Sequence, residues 1–213
     1  MLDPQDQETV NGEHRLAARD LACRRGERLI FSELSFAVEA GEVVEIAGRN
    51  GCGKTSLLRT LCGLLPPETG EVKWCGSPIQ AIRAQFQREL AYVGHADGIK
   101  GDLSVLENLQ VARALHGGGE EPELAIEHLG LVEFRDILSR LLSAGQRRRL
   151  ALARLLVNKA RLWLLDEPFT ALDKTAIRTV AGLFEDQAAQ GGMVIYTSHH
   201  PVRIAKARRM ELA

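Results

Sequence analysis

Short apolar runs that end in polar loops form the first pattern along the chain. Val43–Ala47 and Leu162–Leu165 have the length of strands rather than helices, and Met193–Tyr196 repeats the pattern. Strands of a parallel sheet appear as continuous apolar runs because both of their faces are buried. The sequence therefore predicts a buried parallel sheet. Further strand-like segments are predicted at Leu29–Phe31, Leu34–Val38 and Glu71–Trp74.

Helical spacing of apolar residues dominates a second stretch of the chain, and Leu124–Leu129 and Leu131–Leu142 show it clearly. A helical block between strands indicates an α/β fold with an inserted helical part. The predicted organisation is a flexible tail over residues 1–13 and one domain over residues 14–213, with a helical subdomain over about residues 79–157.

Composition and charge narrow the class of protein. Hydrophobic residues make up 45% and charged residues 26% of the 213 positions, as in ordinary globular proteins. The formal net charge of -1 gives no reason to expect a nucleic-acid partner, so we interpret the basic runs at 147–149 and 208–209 as solvated faces. The four cysteines lack C-x-x-C spacing and are expected to be reduced.

Membrane segments and export signals are not expected in this sequence. No apolar stretch reaches the roughly 18 residues that a membrane-spanning helix needs. The first 13 residues are polar and acidic, unlike a secretory signal. We therefore expect a cytoplasmic protein that attaches to a membrane through a partner.

A phosphate-binding loop is predicted at residues 48–55, where the sequence fits G-x-x-x-x-G-K-[ST] between a strand and a predicted helix from Lys54 to about Leu64. Glycines let backbone N–H groups surround phosphates, Lys54 is expected at the β- and γ-phosphates, and Thr55 is expected on Mg²⁺. The alternative, a chance glycine-rich turn, is disfavoured by this context. The predicted ATP-binding residues here are Gly48, Arg49, Asn50, Gly51, Cys52, Gly53, Lys54, Thr55 and Ser56.

Two acidic residues follow the strand-like run Leu162–Leu165. An Asp delivered by an apolar strand is the usual second partner of Mg²⁺ in phosphate-loop enzymes, so Asp166 joins Thr55 as a predicted metal ligand. Glu167 is the predicted general base for the attacking water. Acidic residues also occur at strand ends for structural reasons, but Pro168 and the phosphate loop disfavour that alternative.

Residues 142–146, Leu-Ser-Ala-Gly-Gln, resemble the LSGGQ signature of ABC ATPases, with Ala144 in place of one glycine. The resemblance covers nearly the whole chain and implies a P-loop α/β core with an antiparallel β subdomain and an inserted α-helical subdomain. It also implies a homodimer, in which Ser143, Ala144, Gly145 and Gln146 of one copy face the ATP of the other. Ser143 before an Arg- and Leu-rich helix is also a plausible N-cap, and the two roles are compatible.

Further positions are assigned through the same resemblance. Residues 170–173 resemble the loop that communicates between the two ATP sites, which gives Asp173 a role there. His199 resembles the switch histidine of the catalytic site, and His200 is the less favoured candidate. His95 stands where most relatives have Gln and is included among the predicted ATP-binding residues. The aromatic residue that usually stacks on adenine is replaced by Cys23-Arg24-Arg25, where an Arg plane is a possible substitute.

Within the ABC ATPases, five segments resemble the ATP-binding subunits of the bacterial haem exporter of cytochrome c biogenesis; they are residues 92–95, 98–100, 103–109, 142–146 and 166–174. This resemblance implies a membrane permease of the CcmB type at the cytoplasmic face of the inner membrane. It further implies ATP hydrolysis that drives haem export or release of a haem chaperone. No residue indicates direct haem binding. The alternatives are an ABC transporter with another substrate and, less favoured, a soluble ABC ATPase.

Overall fold

The computed structural model describes residues 15–199 and 202–212, so the predicted tail and His200 lie outside the described residues. Nine strands and six α-helices are present in this part of the chain. The strands are β1 (Arg15–Arg25), β2 (Arg28–Glu39), β3 (Val43–Ala47), β4 (Thr69–Trp74), β5 (Ser77–Pro78), β6 (Leu90–Val93), β7 (Leu162–Leu165), β8 (Met193–Thr197) and β9 (Arg208–Glu211). The α-helices are α1 (Lys54–Leu61), α2 (Arg83–Glu89), α3 (Val105–His116), α4 (Pro122–His128), α5 (Ala144–Leu156) and α6 (Lys174–Ala189).

An antiparallel sheet forms in the order β2-β1-β4-β5. The two segments predicted between residues 29 and 38 are one strand, β2, with a kink at Glu33, whose φ is 54°. The paired strand β1 was not predicted, because its register with β2 shifts between Ala18 and Leu21 and breaks the alternation of buried and exposed residues. Asp20 in this bulge has a φ of 48° and accepts a hydrogen bond from the Ser35 hydroxyl at 3.0 Å.

A parallel sheet forms in the order β6-β7-β8-β3-β9. The predicted strands at β3 and β7 have the predicted bounds, and β8 continues one residue further, to Thr197. Because the strands are parallel, the carboxyl ends of β3, β7 and β8 lie at one edge of the sheet. That edge carries the loops in which the functional residues were predicted.

Both faces of the parallel sheet are buried, and each face contributes to a separate apolar cluster. Val44, Leu164 and Ile195 face a cluster shared with the antiparallel sheet and α1, which includes Trp74. Their alternating neighbours face a second cluster with α3, α5 and α6; examples are Val43, Trp163, Leu165, Val194 and Tyr196. Side chains of a strand point alternately to opposite faces, so burial of both faces explains the continuous apolar runs.

The stretch predicted to be mostly helical also contains a strand and two irregular segments. Strand β6 pairs with β7 and supplies the edge of the parallel sheet, so this part of the prediction is wrong. The helix-like spacing over residues 131–142 is also misleading, because that stretch forms 3₁₀ turns at Val132–Phe134 and Ser139–Leu141. Its backbone is fixed by tertiary contacts instead, since buried Ser139 accepts a hydrogen bond from the Asn108 amide at 2.9 Å. The boundaries of the helical subdomain stay a prediction.

None of the helices in the described part of the chain is long and apolar enough to span a bilayer.

Candidate functional site: an ATP site at the end of the parallel sheet

The predicted phosphate loop connects β3 to α1 and is shaped by glycines that close packing requires. Gly48 has a φ of 148°, and a side chain there would lie 2.6 Å from the carbonyl oxygen of Leu212. Gly53 has a φ of 109°, and its added Cβ would lie 2.2 Å from the Ile30 side chain. Both positions therefore exclude larger residues, as a backbone wrapped around phosphates requires.

The start of helix α1 fits a negatively charged ligand. Gly53 occupies the N-cap position without a side-chain cap, and the first turn of α1 carries no acidic residue. Lys54 is 7% exposed, and its ammonium donates to the carbonyl oxygens of Gly48 at 2.8 Å and Arg49 at 3.2 Å. The positive end of a helix dipole and a lysine at the same loop favour phosphate binding.

The predicted metal ligands lie together. The hydroxyl of Thr55, in the first turn of α1, donates to Oδ2 of Asp166 at 2.8 Å. Asp166 follows β7, is 3% exposed, and receives a second hydrogen bond on Oδ1 from the Thr197 hydroxyl at 2.9 Å. The described residues contain no cluster of three or more His, Cys, Asp or Glu side chains that would enclose a metal ion alone. Two protein oxygens suit Mg²⁺, which usually keeps water and phosphate oxygens as its other ligands.

Glu167 and His199 also meet, at the same edge of the sheet. Oε2 of Glu167 accepts a hydrogen bond from the His199 backbone N–H at 3.0 Å, and Oε1 lies 3.1 Å from Nε2 of the His199 ring. Glu167 has a φ of 52°, which is uncommon for a residue with a side chain and indicates a backbone held by its surroundings. The His199 N–H thus holds one oxygen of the carboxylate, and the ring of the same residue lies close to the other.

Thr197 is a functional-site residue that the sequence analysis did not predict. It ends β8, is completely buried, and connects the two acidic residues. Its hydroxyl donates to Asp166 and accepts from the Glu167 backbone N–H at 3.0 Å. A hydroxyl residue at the end of an otherwise apolar strand was the available signal.

Arg148 contradicts the interpretation of residues 147–149 as a solvated face. Its guanidinium is buried beneath the turn that follows β7 and donates to the carbonyl oxygens of Asp166 at 2.6 Å and Glu167 at 2.8 Å. The charge tolerates burial because several oxygen acceptors surround it. In helix α5 this side chain faces the interior, whereas Arg147 and Arg149 are half-buried.

The predicted signature residues form the start of α5. Ser143 is its N-cap, and the Ser143 and Gln146 side chains bond reciprocally to each other's backbone N–H in a capping box. A side chain at Gly145 would lie 2.6 Å from the carbonyl oxygen of Ala171. Among the described residues, no hydrogen bond joins residues 143–146 to residues 48–56 of the same chain. The start of α5 therefore packs against the loop before α6, and Ser143 and Ala144 are exposed.

Asp173 is the N-cap of α6, where its carboxylate accepts a hydrogen bond from the Ala176 N–H at 2.8 Å. This bond is the main reason why the pKa of Asp173 lies below its ordinary value. The residue is exposed, and its role between two ATP sites stays a prediction.

Known proteins share much of this chain's sequence. Residues 31–170 match the family described as ABC transporter. The cytochrome c biogenesis ATP-binding export protein CcmA of Nitrosococcus oceani is 60% identical over 199 residues, which cover 93% of this chain and 92% of that protein. The protein of the same name from Nitrosomonas europaea is 49% identical over 187 residues, with coverage of 86% and 88%. The chain belongs to the CcmA family of ABC transporter ATP-binding proteins.

The fold supports this membership of the CcmA family. A solved Pyrococcus furiosus structure assigned as an ABC transporter ATP-binding protein has a TM-score of 0.79 at 26% identity, covering 93% of this chain and 97% of that chain. The predicted fold class, with an antiparallel and a parallel sheet, is confirmed. The CcmA-family chain is an ATP-binding ABC ATPase.

Two departures from the general ABC pattern have defined places in this CcmA-family structure. His95 follows β6, is exposed, and lies between Gly94 and Asp97, which both accept hydrogen bonds from Arg148. Cys23 is buried in β1, and burial raises the pKa of its thiol. Arg24 is held by Glu68 at 2.9 Å, while Arg25 is exposed. An adenine contact by either arginine, and a nucleotide contact by His95, stay predictions.

Proposed function

We propose that this chain hydrolyses ATP, as one of two identical subunits, to power an export complex of cytochrome c biogenesis. The observation that carries the proposal is a continuous chain of hydrogen bonds from Thr55 through Asp166 and Thr197 to Glu167. This chain of hydrogen bonds joins the candidate metal ligands, Thr55 and Asp166, to the candidate base. Thr55 lies in the first turn of α1, whose N-terminus has no side-chain cap.

ATP binding is supported by the phosphate loop. Backbone N–H groups of residues 48–53 and the start of α1 would surround the phosphates, and Lys54 would exchange its two loop carbonyls for phosphate oxygens. Thr55 and Asp166 would hold Mg²⁺, which neutralises charge on the phosphates when it is bound. The two oxygens already lie within 2.8 Å of each other, so little rearrangement is required.

Hydrolysis needs a group that accepts a proton from the attacking water, and the contacts of Glu167 support this role. Its carboxylate is fixed by the His199 N–H, while Thr197 fixes its backbone. A positioned carboxylate accepts the proton as the water oxygen bonds to phosphorus and the bond to ADP breaks. His199 orients this carboxylate here, and its contact with the γ-phosphate stays a prediction.

The partners follow from the same family membership. The exposed Ser143 and Ala144 support a second copy of the chain as the place where the signature contacts ATP. A two-fold pair would supply both sites with the same residues. The named relatives are export proteins of cytochrome c biogenesis. Their names support a membrane permease of the CcmB type as the partner and haem or a haem chaperone as the exported cargo. They also support a position at the cytoplasmic face of the inner membrane.

The decisive experiment compares the candidate base with the phosphate loop. Glu167→Gln is expected to keep ATP binding and to lose turnover by about 10²–10⁴-fold, the usual range for general-base catalysis. Lys54→Ala is expected to weaken ATP binding itself, because a direct phosphate contact is removed. Nucleotide affinity and steady-state hydrolysis are measured for both variants.

Glu133→Gln is the matched control for Glu167→Gln, since Glu133 is an exposed carboxylate in a 3₁₀ turn outside the site. It should hydrolyse ATP like the unaltered chain. Normal hydrolysis by Glu167→Gln would refute the role of Glu167 as base.

A further inference from the structure

Arg148 connects three parts of the molecule that the proposed mechanism uses. It projects from α5, whose first turn is the signature, into the space below the catalytic turn, residues 166–168, which follows β7. There it donates from Nη2 to the carbonyl oxygens of Asp166 and Glu167, and from Nε to that of Pro168 at 3.3 Å. Three successive carbonyl groups are thus held by one side chain.

This turn needs such support because Glu167 adopts a positive φ of 52°. A residue with a side chain is costly in this conformation and persists in it only when its surroundings hold it there. Thr197 accepts a hydrogen bond from the N–H of Glu167, and Arg148 donates to the carbonyl oxygens of Asp166 and of Glu167 itself. The direction of the Glu167 carboxylate therefore depends on both contacts.

The other edge of the guanidinium reaches the segment after β6. Nη1 of Arg148 donates to the carbonyl oxygen of Gly94 at 3.0 Å and to Oδ1 of Asp97 at 3.1 Å. Asp97 supplies an opposite charge to this buried cation, and its side chain remains 25% exposed. His95 lies within the segment fixed by these two bonds, and one guanidinium joins this segment to the catalytic turn.

We propose that Arg148 is a positioning residue for ATP hydrolysis. Its guanidinium fixes the turn of residues 166–168 so that Glu167 faces the attacking water, and it links that turn to residues 94–97. This inference rests on the proposed role of Glu167 as the base. Lysine cannot replace arginine here, because its ammonium lacks the planar fork of five donors that reaches acceptors on opposite sides.

Arg154 provides a control on the same helix. Its Nη1 donates to the carbonyl oxygens of Asp97 at 3.2 Å and Gly98 at 2.9 Å. It fixes the same segment as Arg148, but among the described residues it makes no hydrogen bond to residues 166–168. Comparing the two arginines separates an effect on the catalytic turn from a general loosening of the segment.

The test uses the full chain with Arg148→Lys, Arg148→Gln, Asp97→Asn and Arg154→Lys. Both Arg148 variants are expected to keep the ATP dissociation constant and to lower kcat by about 10- to 100-fold, the order of loss that a displacement of about 1 Å at a catalytic group produces. Asp97→Asn should lower kcat less, because an amide oxygen still accepts the bond. Arg154→Lys should lower kcat far less than Arg148→Lys, because Arg154 contacts residues 97 and 98 and not the catalytic turn.

A double-mutant cycle with Glu167→Gln distinguishes positioning from a general structural role. If Arg148 acts through Glu167, Arg148→Lys should add no further loss to the single-turnover rate of Glu167→Gln, whereas independent effects multiply. A multiplied loss, a changed ATP affinity with unchanged kcat, or an equal loss in Arg154→Lys would overturn the proposal. If Arg148→Gln does not fold, the kcat values of Arg148→Lys and Asp97→Asn test the proposal.

The two proposals fail in different ways. Normal turnover by Glu167→Gln refutes the proposed base. Slow turnover by Glu167→Gln together with normal turnover by the Arg148 variants refutes only the positioning role.

Discussion

At the scale of single residues, the hydroxyl of Thr197 serves two acidic neighbours at once. Its one proton goes to Asp166, and its lone pairs accept the Glu167 N–H, so an aliphatic side chain of the same size supplies neither bond. Thr60 offers a contrast in the same molecule. It is also buried, on α1, but its hydroxyl has no hydrogen-bond partner among the described residues.

Thr197→Val should therefore lower both the free energy of unfolding and the turnover, whereas Thr60→Val should be neutral or stabilising. Valine preserves the shape and leaves the buried Glu167 N–H without its acceptor, which costs about 1–3 kcal/mol. Chemical denaturation and kcat are the measurements, and Thr197→Ser should restore both. Equal effects of the two valine substitutions on stability would contradict the role assigned to Thr197.

At the scale of elements, helix α6 begins at an exposed carboxylate whose charge favours the folded state. The pKa of Asp173 is lowered, mainly by the Ala176 N–H, so the folded chain holds the ionised form more strongly than the unfolded chain does. The resulting stability is present above the ordinary pKa of 3.8 and is lost as the pH falls through the lower pKa of the folded state.

Asp173→Asn should therefore melt at a lower temperature than the unaltered chain at neutral pH, and the difference should shrink as the pH falls below 3.8. Asparagine keeps an N-cap acceptor, so the comparison isolates the charge. Asp186→Asn, near the other end of α6, should not lower the melting temperature, because an acidic group at a helix C-terminus is unfavourable. A difference that grows at low pH would contradict the assignment.

The elements that the sequence predicted well are those with a local cause. Strands β3 and β7 were found because burial of both faces gives continuous apolar runs, and α1 because it follows a glycine-rich loop. Strand β1 was missed because a bulge breaks its alternation, and the stretch 131–142 because distant contacts through Asn108 decide its conformation.

The same distinction holds for the site. Motif residues such as Lys54, Thr55 and Asp166 were predicted from their spacing, and the structure places them together. Thr197 and Arg148 were not predicted as site residues, since their roles arise from hydrogen bonds across 31 and about 20 positions of sequence. Nothing in the local pattern around Arg148 distinguishes a buried arginine from its half-buried neighbours.

At the scale of the whole molecule, ATP should join two copies of the chain when hydrolysis is blocked. Glu167→Gln with Mg-ATP is expected to dimerise, because each proposed site is completed by Ser143 and Gly145 of the other copy. Ligand at about 100 times its dissociation constant contributes roughly 2.7 kcal/mol per site to the competent state. Light scattering measures the mass, and the double variant with Lys54→Ala should remain monomeric. A monomeric Glu167→Gln chain at saturating Mg-ATP would refute the paired arrangement.

The two apolar clusters on either side of the parallel sheet also give the molecule two internal fluorophores. The chain has two tryptophans, and each lies in a different cluster: Trp74 beside Phe86 at 5.8 Å and Trp163 beside Phe184 at 6.4 Å. Trp163→Phe and Trp74→Phe would therefore leave emission from one face of the sheet at a time. Coincident loss of both signals during denaturation would mean that the shared sheet melts as one cooperative unit, whereas separate transitions would reveal two optically distinct halves.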